Sequence, residues 1–94
     1  MTKVTVTQDH IDHGKKSDCA LCPIALALCN LGYLDVEVHG TFVRLPVVRG
    51  RLFIDLPEVA TDFIDQFDAH GAIGVSPIEF DLDLPPITPE KPHG

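Results

Sequence analysis

Polar and apolar residues alternate in some stretches of the chain and recur at helical spacing in others, and these two periods define its predicted elements. Val4 and Val6 alternate with Thr5 and Thr7, so residues 3 to 8 read as a β-branched strand with one buried face. Residues 8 to 18 carry many polar groups without a clear period. They read as an ordered loop or a single helical turn, anchored by Ile11. A helix follows over about 22 to 31. Pro23 suits its first turn, where a missing N–H has no intrahelical partner to lose, and Gly32 suits the left-handed residue after its last turn. Ile24, Ala25, Leu26, Ala27, Leu28 and Leu31 leave this helix almost no polar face, which predicts cover on more than one side.

Val36 and Val38 alternate with Glu37 and His39, and Thr41 to Leu45 is again strand-like, which predicts a hairpin turning at His39-Gly40. Gly50 marks a second reversal between Val47-Val48 and Leu52-Phe53-Ile54, and Pro46 marks a bulge or an edge. Pro57 opens a second helix, with Val59, Ala60, Phe63, Ile64 and Phe67 on one stripe and Gly71 at its end. Ile78, Phe80, Leu82 and Leu84 alternate with Glu79, Asp81 and Asp83 in a last strand. The order β-α-β-β-β-α-β predicts an α+β fold, two helices packed on one largely antiparallel sheet of about five strands. Residues 1–84 form that single domain, and 85–94, with four prolines, form a flexible tail. A chain of this size buries only ~60% of its surface, so pairing as a homodimer through a strand edge or the first helix would add stability.

Charge narrows the partners. Seven Lys and Arg against fourteen Asp and Glu give a formal −7, which argues against direct binding to nucleic acid, because tracking a phosphate backbone needs clustered basic residues. Residues 1–51 hold six basic side chains against five acids, a net of +1. Residues 52–94 hold only Lys91 against nine acids, a net of −8. Glu58, Asp62 and Asp65 fall on the exposed side of the second helix, and Glu79, Asp81 and Asp83 on one face of the last strand. They predict one negative surface, either a solvated face or a phosphate mimic that inhibits a basic host protein.

The opening residues lack the apolar core and small-residue cleavage site of a secretory signal, and the longest apolar run is under half of the ~20 residues that span a bilayer. The expected setting is the cytoplasm, without membrane contact. Cys19, Cys22 and Cys29 lie within eleven residues, too close together to staple distant parts of a secreted domain, so reduced thiols are expected.

Chemistry concentrates ahead of the first helix. Cys19-Ala20-Leu21-Cys22 stands where a helix's positive end would favour a thiolate, so Cys19 and Cys22 are candidates for thiol redox work as well as for plain core packing. The strand, CxxC and helix resemble the opening of thioredoxin-like oxidoreductases. In those enzymes Gly-Pro or Pro-His usually separates the cysteines, and a cis-proline loop comes later; here the pair is Ala20-Leu21, and Ser76-Pro77 is the one proline placed to imitate that loop. His10 and His13 with Cys19 and Cys22 form the ligand set zinc prefers, although the interval between the pairs is shorter than the ~12 residues common in closed sites. No cofactor besides that zinc alternative is expected. Lys15, Lys16 and Ser17 precede unpaired helix N–H groups and predict a site for a small anion, including a phosphorylated signalling nucleotide held as by a sponge. The glycines of a P-loop are missing. Arg44, Arg49 and Arg51 offer a second basic group.

The stretch Val4-Thr5-Val6-Thr7-Gln8-Asp9-His10-Ile11, then Gly14-Lys15, then Asp18-Cys19-Ala20-Leu21-Cys22-Pro23 through Leu28, resembles the opening of small uncharacterised bacteriophage and actinobacterial proteins with a CxxCP(I/V)ALAL segment. Asp55-Leu56-Pro57, Ile64 through Asp68 and Ser76-Pro77-Ile78 are similar in layout. The resemblance implies an origin and no activity. It favours a small noncatalytic accessory protein that binds a host protein or a small anionic ligand in the host cytoplasm.

Overall fold

The computed structural model describes residues 2–16, 18–47 and 50–85. Ser17, Arg49 and most of the proline-rich tail lie outside the described residues. The order is β1 (Thr2–Val6), α1 (Gln8–His13), α2 (Pro23–Asn30), β2 (Glu37–Val38), β3 (Phe42–Val47), β4 (Gly50–Asp55), α3 (Glu58–His70), a 3₁₀ turn (Gly71–Gly74) and β5 (Ile78–Leu82). The class is α+β, with all strand pairs antiparallel.

The five strands divide between two sheets instead of sharing one. β1 pairs with β5, Val4 opposite Phe80, while β2, β3 and β4 form a meander in sequence order, Val43 opposite Ile54. The division follows from α2, whose apolar surface needs cover on two sides. Pro23, Ile24, Ala25, Ala27 and Leu28 are all buried, and the helix packs on β1 on one side and β2 on the other. Leu31, in contrast, is 38% exposed beyond the helix end.

Of the two alternatives for residues 8–18, the helical one holds over α1. Thr7 Oγ1 accepts from the His10 N–H, and His10 Nδ1 accepts from the Thr7 N–H, a reciprocal cap in which histidine fills the place usually taken by Glu or Gln. Ile11 is fully buried beneath it. α1 ends at Gly14, where a Cβ would stand 2.6 Å from the Pro23 ring, so only a hydrogen side chain lets α1 and α2 meet this closely. α3 sinks Ala60, Phe63 and Phe67 against β5, where Phe80 and Leu82 face the same core. It stops at Gly71, whose φ of 74° is left-handed and tolerated best by glycine. Gly50, at φ 134°, closes the β3–β4 reversal.

Candidate functional site

Three segments far apart in sequence meet beside the start of α2. The turn carrying Cys19 is tied to β2 by the Val38 N–H, which donates to the Cys19 carbonyl at 2.8 Å. The hairpin after β2 is closed by the His39 N–H donating to the Phe42 carbonyl, also at 2.8 Å. Strand alternation buries Val36 and Val38, so Glu37 and His39 turn together to the opposite side. Glu37, His39 and Cys19 thereby bring one carboxylate oxygen, one ring nitrogen and one sulfur within 4.8 Å of one another.

Each donor is held by a neighbour. His39 Nε2 lies 3.3 Å from Glu37 Oε1, and the His39 ring stacks on Phe42 with centroids 4.8 Å apart and planes at 23°. Arg44, across the β2–β3 ladder, donates to Glu37 Oε2. That hydrogen bond, with the charge of Arg44 and a smaller contribution from His39, outweighs partial burial and holds the Glu37 carboxyl below the usual carboxylate range. A cleft of about 170 Å³ opens beside the group, lined by Asp18, Cys19, Cys22, Val38, His39, Gly40, Ile64 and Asp68. Among the described residues no lysine or arginine lines it.

The sequence candidates separate in space. Cys19 belongs to this cleft, but His10 and His13 do not join it: His10 Nδ1 is used in the α1 cap, and His13 Nδ1 donates to the Asp9 carbonyl at 2.9 Å. Among the described residues, Cys19, Glu37 and His39 are the one convergent trio of potential metal ligands, so the four-ligand set of His10, His13, Cys19 and Cys22 is not assembled. Cys22 is buried, its thiol pushed up by that burial, and its sulfur caps α2 by accepting from the Ala25 N–H at 3.5 Å. Cys22 is therefore the N-cap of α2, while Cys19 stands three residues ahead of it. The Ser76–Pro77 peptide is trans, and Pro77 lines a different groove with Thr5 and Gln8, so the likeness to thioredoxin-like enzymes stops at the spacing.

The anion site is also altered. The Asp18 carboxylate accepts from the Ala20 and Leu21 N–H groups at 2.9 and 3.0 Å, filling donors that an external anion would need. Lys15 and Lys16 are exposed, and the Lys16 stem lies near Gly71 at the carbonyl end of α3, where a cation is favourable. Ser17 falls outside the described residues. Arg44 is engaged by Glu37, and Arg51 is exposed at the far end of the meander.

The acidic residues do not make one surface. Glu58, Asp62 and Asp65 point away from the core on α3, whereas Glu79 and Asp81 project from the face of β5 opposite to the one α3 covers. Glu79 also meets Lys3 at 3.9 Å and accepts from Thr5 Oγ1 at 3.3 Å, and Asp83 follows exposed beyond the strand. Glu37 and His39 are the site residues that the sequence reading passed over. Their signal was present: a carboxylate and an imidazole two residues apart share one face of a strand.

No family model matches this chain, and no curated protein or solved structure does. Among the described residues no helix is long and apolar enough to cross a membrane.

Proposed function

We propose that this chain is a small noncatalytic binding protein whose cleft between the Cys19 turn, the β2–β3 hairpin and α3 receives a basic group of a partner protein. One observation carries the reading: among the described residues, the cleft lining brings Asp18 and Asp68 beside His39 and includes no lysine or arginine. A concave site with carboxylates of one sign concentrates field on an incoming cation and disfavours an anion. The redox alternative is weaker, since Cys22 serves as a buried helix cap with a raised pKa. The nucleotide-sponge alternative loses the N–H donors that Asp18 already fills. That the bearer of the basic group is a host protein rests on the resemblance read from the opening segment to small bacteriophage and actinobacterial proteins.

Thermal denaturation with a ligand panel tests this. Lysine- and arginine-containing peptides should raise the midpoint, through the ~2.7 kcal/mol of added stability that a ligand at a hundred times its Kd supplies, and Asp18→Asn should weaken the effect. A rise with phosphate or nucleotides that depends on Lys15 and Lys16, with no response to basic peptides, would overturn it.

A further inference from the structure

We propose that Cys19, Glu37 and His39 bind a single zinc ion at the rim of the cleft, a site separate from the recognition of a basic group described above. Thiolate, imidazole and carboxylate together select a borderline-soft ion and disfavour calcium and magnesium, which prefer oxygen alone. The spacing suits it. A tetrahedral zinc with bonds of roughly 2.0–2.2 Å sets its nitrogen and oxygen donors about 3.3–3.6 Å apart, and His39 Nε2 stands 3.3 Å from Glu37 Oε1. The remaining separations, at most 4.8 Å, are within reach of side-chain rotation.

The supports of the trio are those a metal site needs around its ligands. Arg44 orients the Glu37 carboxylate through Oε2 and leaves Oε1 for the ion, Phe42 fixes the plane of the His39 ring, and the Val38–Cys19 backbone bond fixes the origin of the thiol. Three protein ligands leave the fourth position open towards the cleft, as in zinc sites that keep a water or an exchangeable ligand. The thiolate and the carboxylate offset the two charges of the ion, and with Arg44 still on Glu37 Oε2 the loaded rim carries one net positive charge beside the acidic residues Asp18 and Asp68. Coordination requires the thiolate and a bare His39 Nε2: the Cys19 proton leaves to solvent, and the proton that Nε2 presents to Glu37 Oε1 is replaced by one on Nδ1.

The experiment is cobalt(II) titration of the full chain after removal of metal by a chelator. One equivalent should give a sulfur-to-cobalt charge-transfer band and the visible bands of a tetrahedral ion, both displaced by zinc. Cys19→Ser should abolish the charge-transfer band, and His39→Gln and Glu37→Gln should weaken binding by more than the roughly 10–100-fold expected of the supporting Arg44→Met. His10→Gln, His13→Gln and Cys29→Ser should leave it unchanged. Where a ligand variant fails to fold, alkylation of the parent protein decides: zinc should protect Cys19 and leave Cys29 reactive. Absence of the bands, their survival in Cys19→Ser, or zinc protection missing at Cys19 would overturn the site. If cobalt fails to bind while basic peptides still raise the midpoint, the zinc site falls and the cleft reading stands; loss of the peptide effect alone does the reverse.

Discussion

The Tyr33 hydroxyl donates to the Pro85 carbonyl at 2.5 Å, joining residues 52 positions apart. Tyr33 follows α2 and Pro85 follows β5, so this bond fastens the end of the β1–β5 sheet to the segment leading into the second sheet. Tyr33→Phe keeps the ring and removes the donor. It should cost about 1 kcal/mol in a urea denaturation curve and speed amide exchange at Leu84. An unchanged midpoint and unchanged exchange would show that the bond contributes nothing.

Gly14→Ala places a methyl group against the Pro23 ring, where nothing flexible can retreat. The expected loss is about 1–3 kcal/mol from overpacking. Gly40→Ala is the control, because a Cβ there meets no atom within 4 Å; it should shift stability by no more than about 0.5 kcal/mol. Equal effects of the two substitutions would refute the close approach.

Leu28, fully buried between the two sheets, and Phe53, 59% exposed on β4, differ in surroundings more than in size. Leu28→Ala should cost about 2–5 kcal/mol, enough to leave a domain this small largely unfolded at 37 °C. Phe53→Ala should cost far less, its remaining partner being Phe42 at 5.6 Å.

Much of this architecture was readable from local pattern. The alternation at Val4 and Val6 and at Ile78, Phe80 and Leu82, and the stripe of Ala60, Phe63 and Phe67, each marked an element through its own period. The pairing of β1 with β5 was not readable, because alternation fixes which face is buried and says nothing of which strand lies alongside. α1 was legible only as one of two alternatives, a helical turn or a loop, because six residues give too little period and its cap uses His10. The cleft was half legible: Cys19 stood out by its spacing to Cys22, but Glu37 and His39 gain meaning only when the hairpin brings them to the Cys19 carbonyl. The acidic triplets, read as one surface, are parted by the core that α3 and β5 share.

His13 carries a pH signature. Its hydrogen bond to the Asp9 carbonyl, aided by the Asp9 carboxylate, raises its pKa above the ordinary 6.5. The folded state therefore holds the proton more tightly than the unfolded chain. The resulting stabilisation is fully present below pH 6.5 and is lost as pH rises through the higher folded value. Denaturation midpoints of parent and His13→Gln should differ more at acidic than at alkaline pH. A difference independent of pH would contradict this.

Two of the thiols should react in a fixed order. Cys29 is exposed and Cys22 buried with its pKa raised, so Ellman's reagent should modify Cys29 at once and Cys22 only on unfolding. Fast modification of Cys22 in the native protein would mean that α2 is not capped as described.

The ladder between β1 and β5 sets the order in which the chain can be completed on the ribosome. Val4 and Val6 emerge more than seventy residues ahead of their ladder partners Phe80 and Ile78. Until then β1 has an unpaired edge, and the nascent chain carries it with its apolar face while the residues between the two strands are made. A chaperone that shields such surface has its opening in that interval, which closes once Leu82 has cleared the exit tunnel.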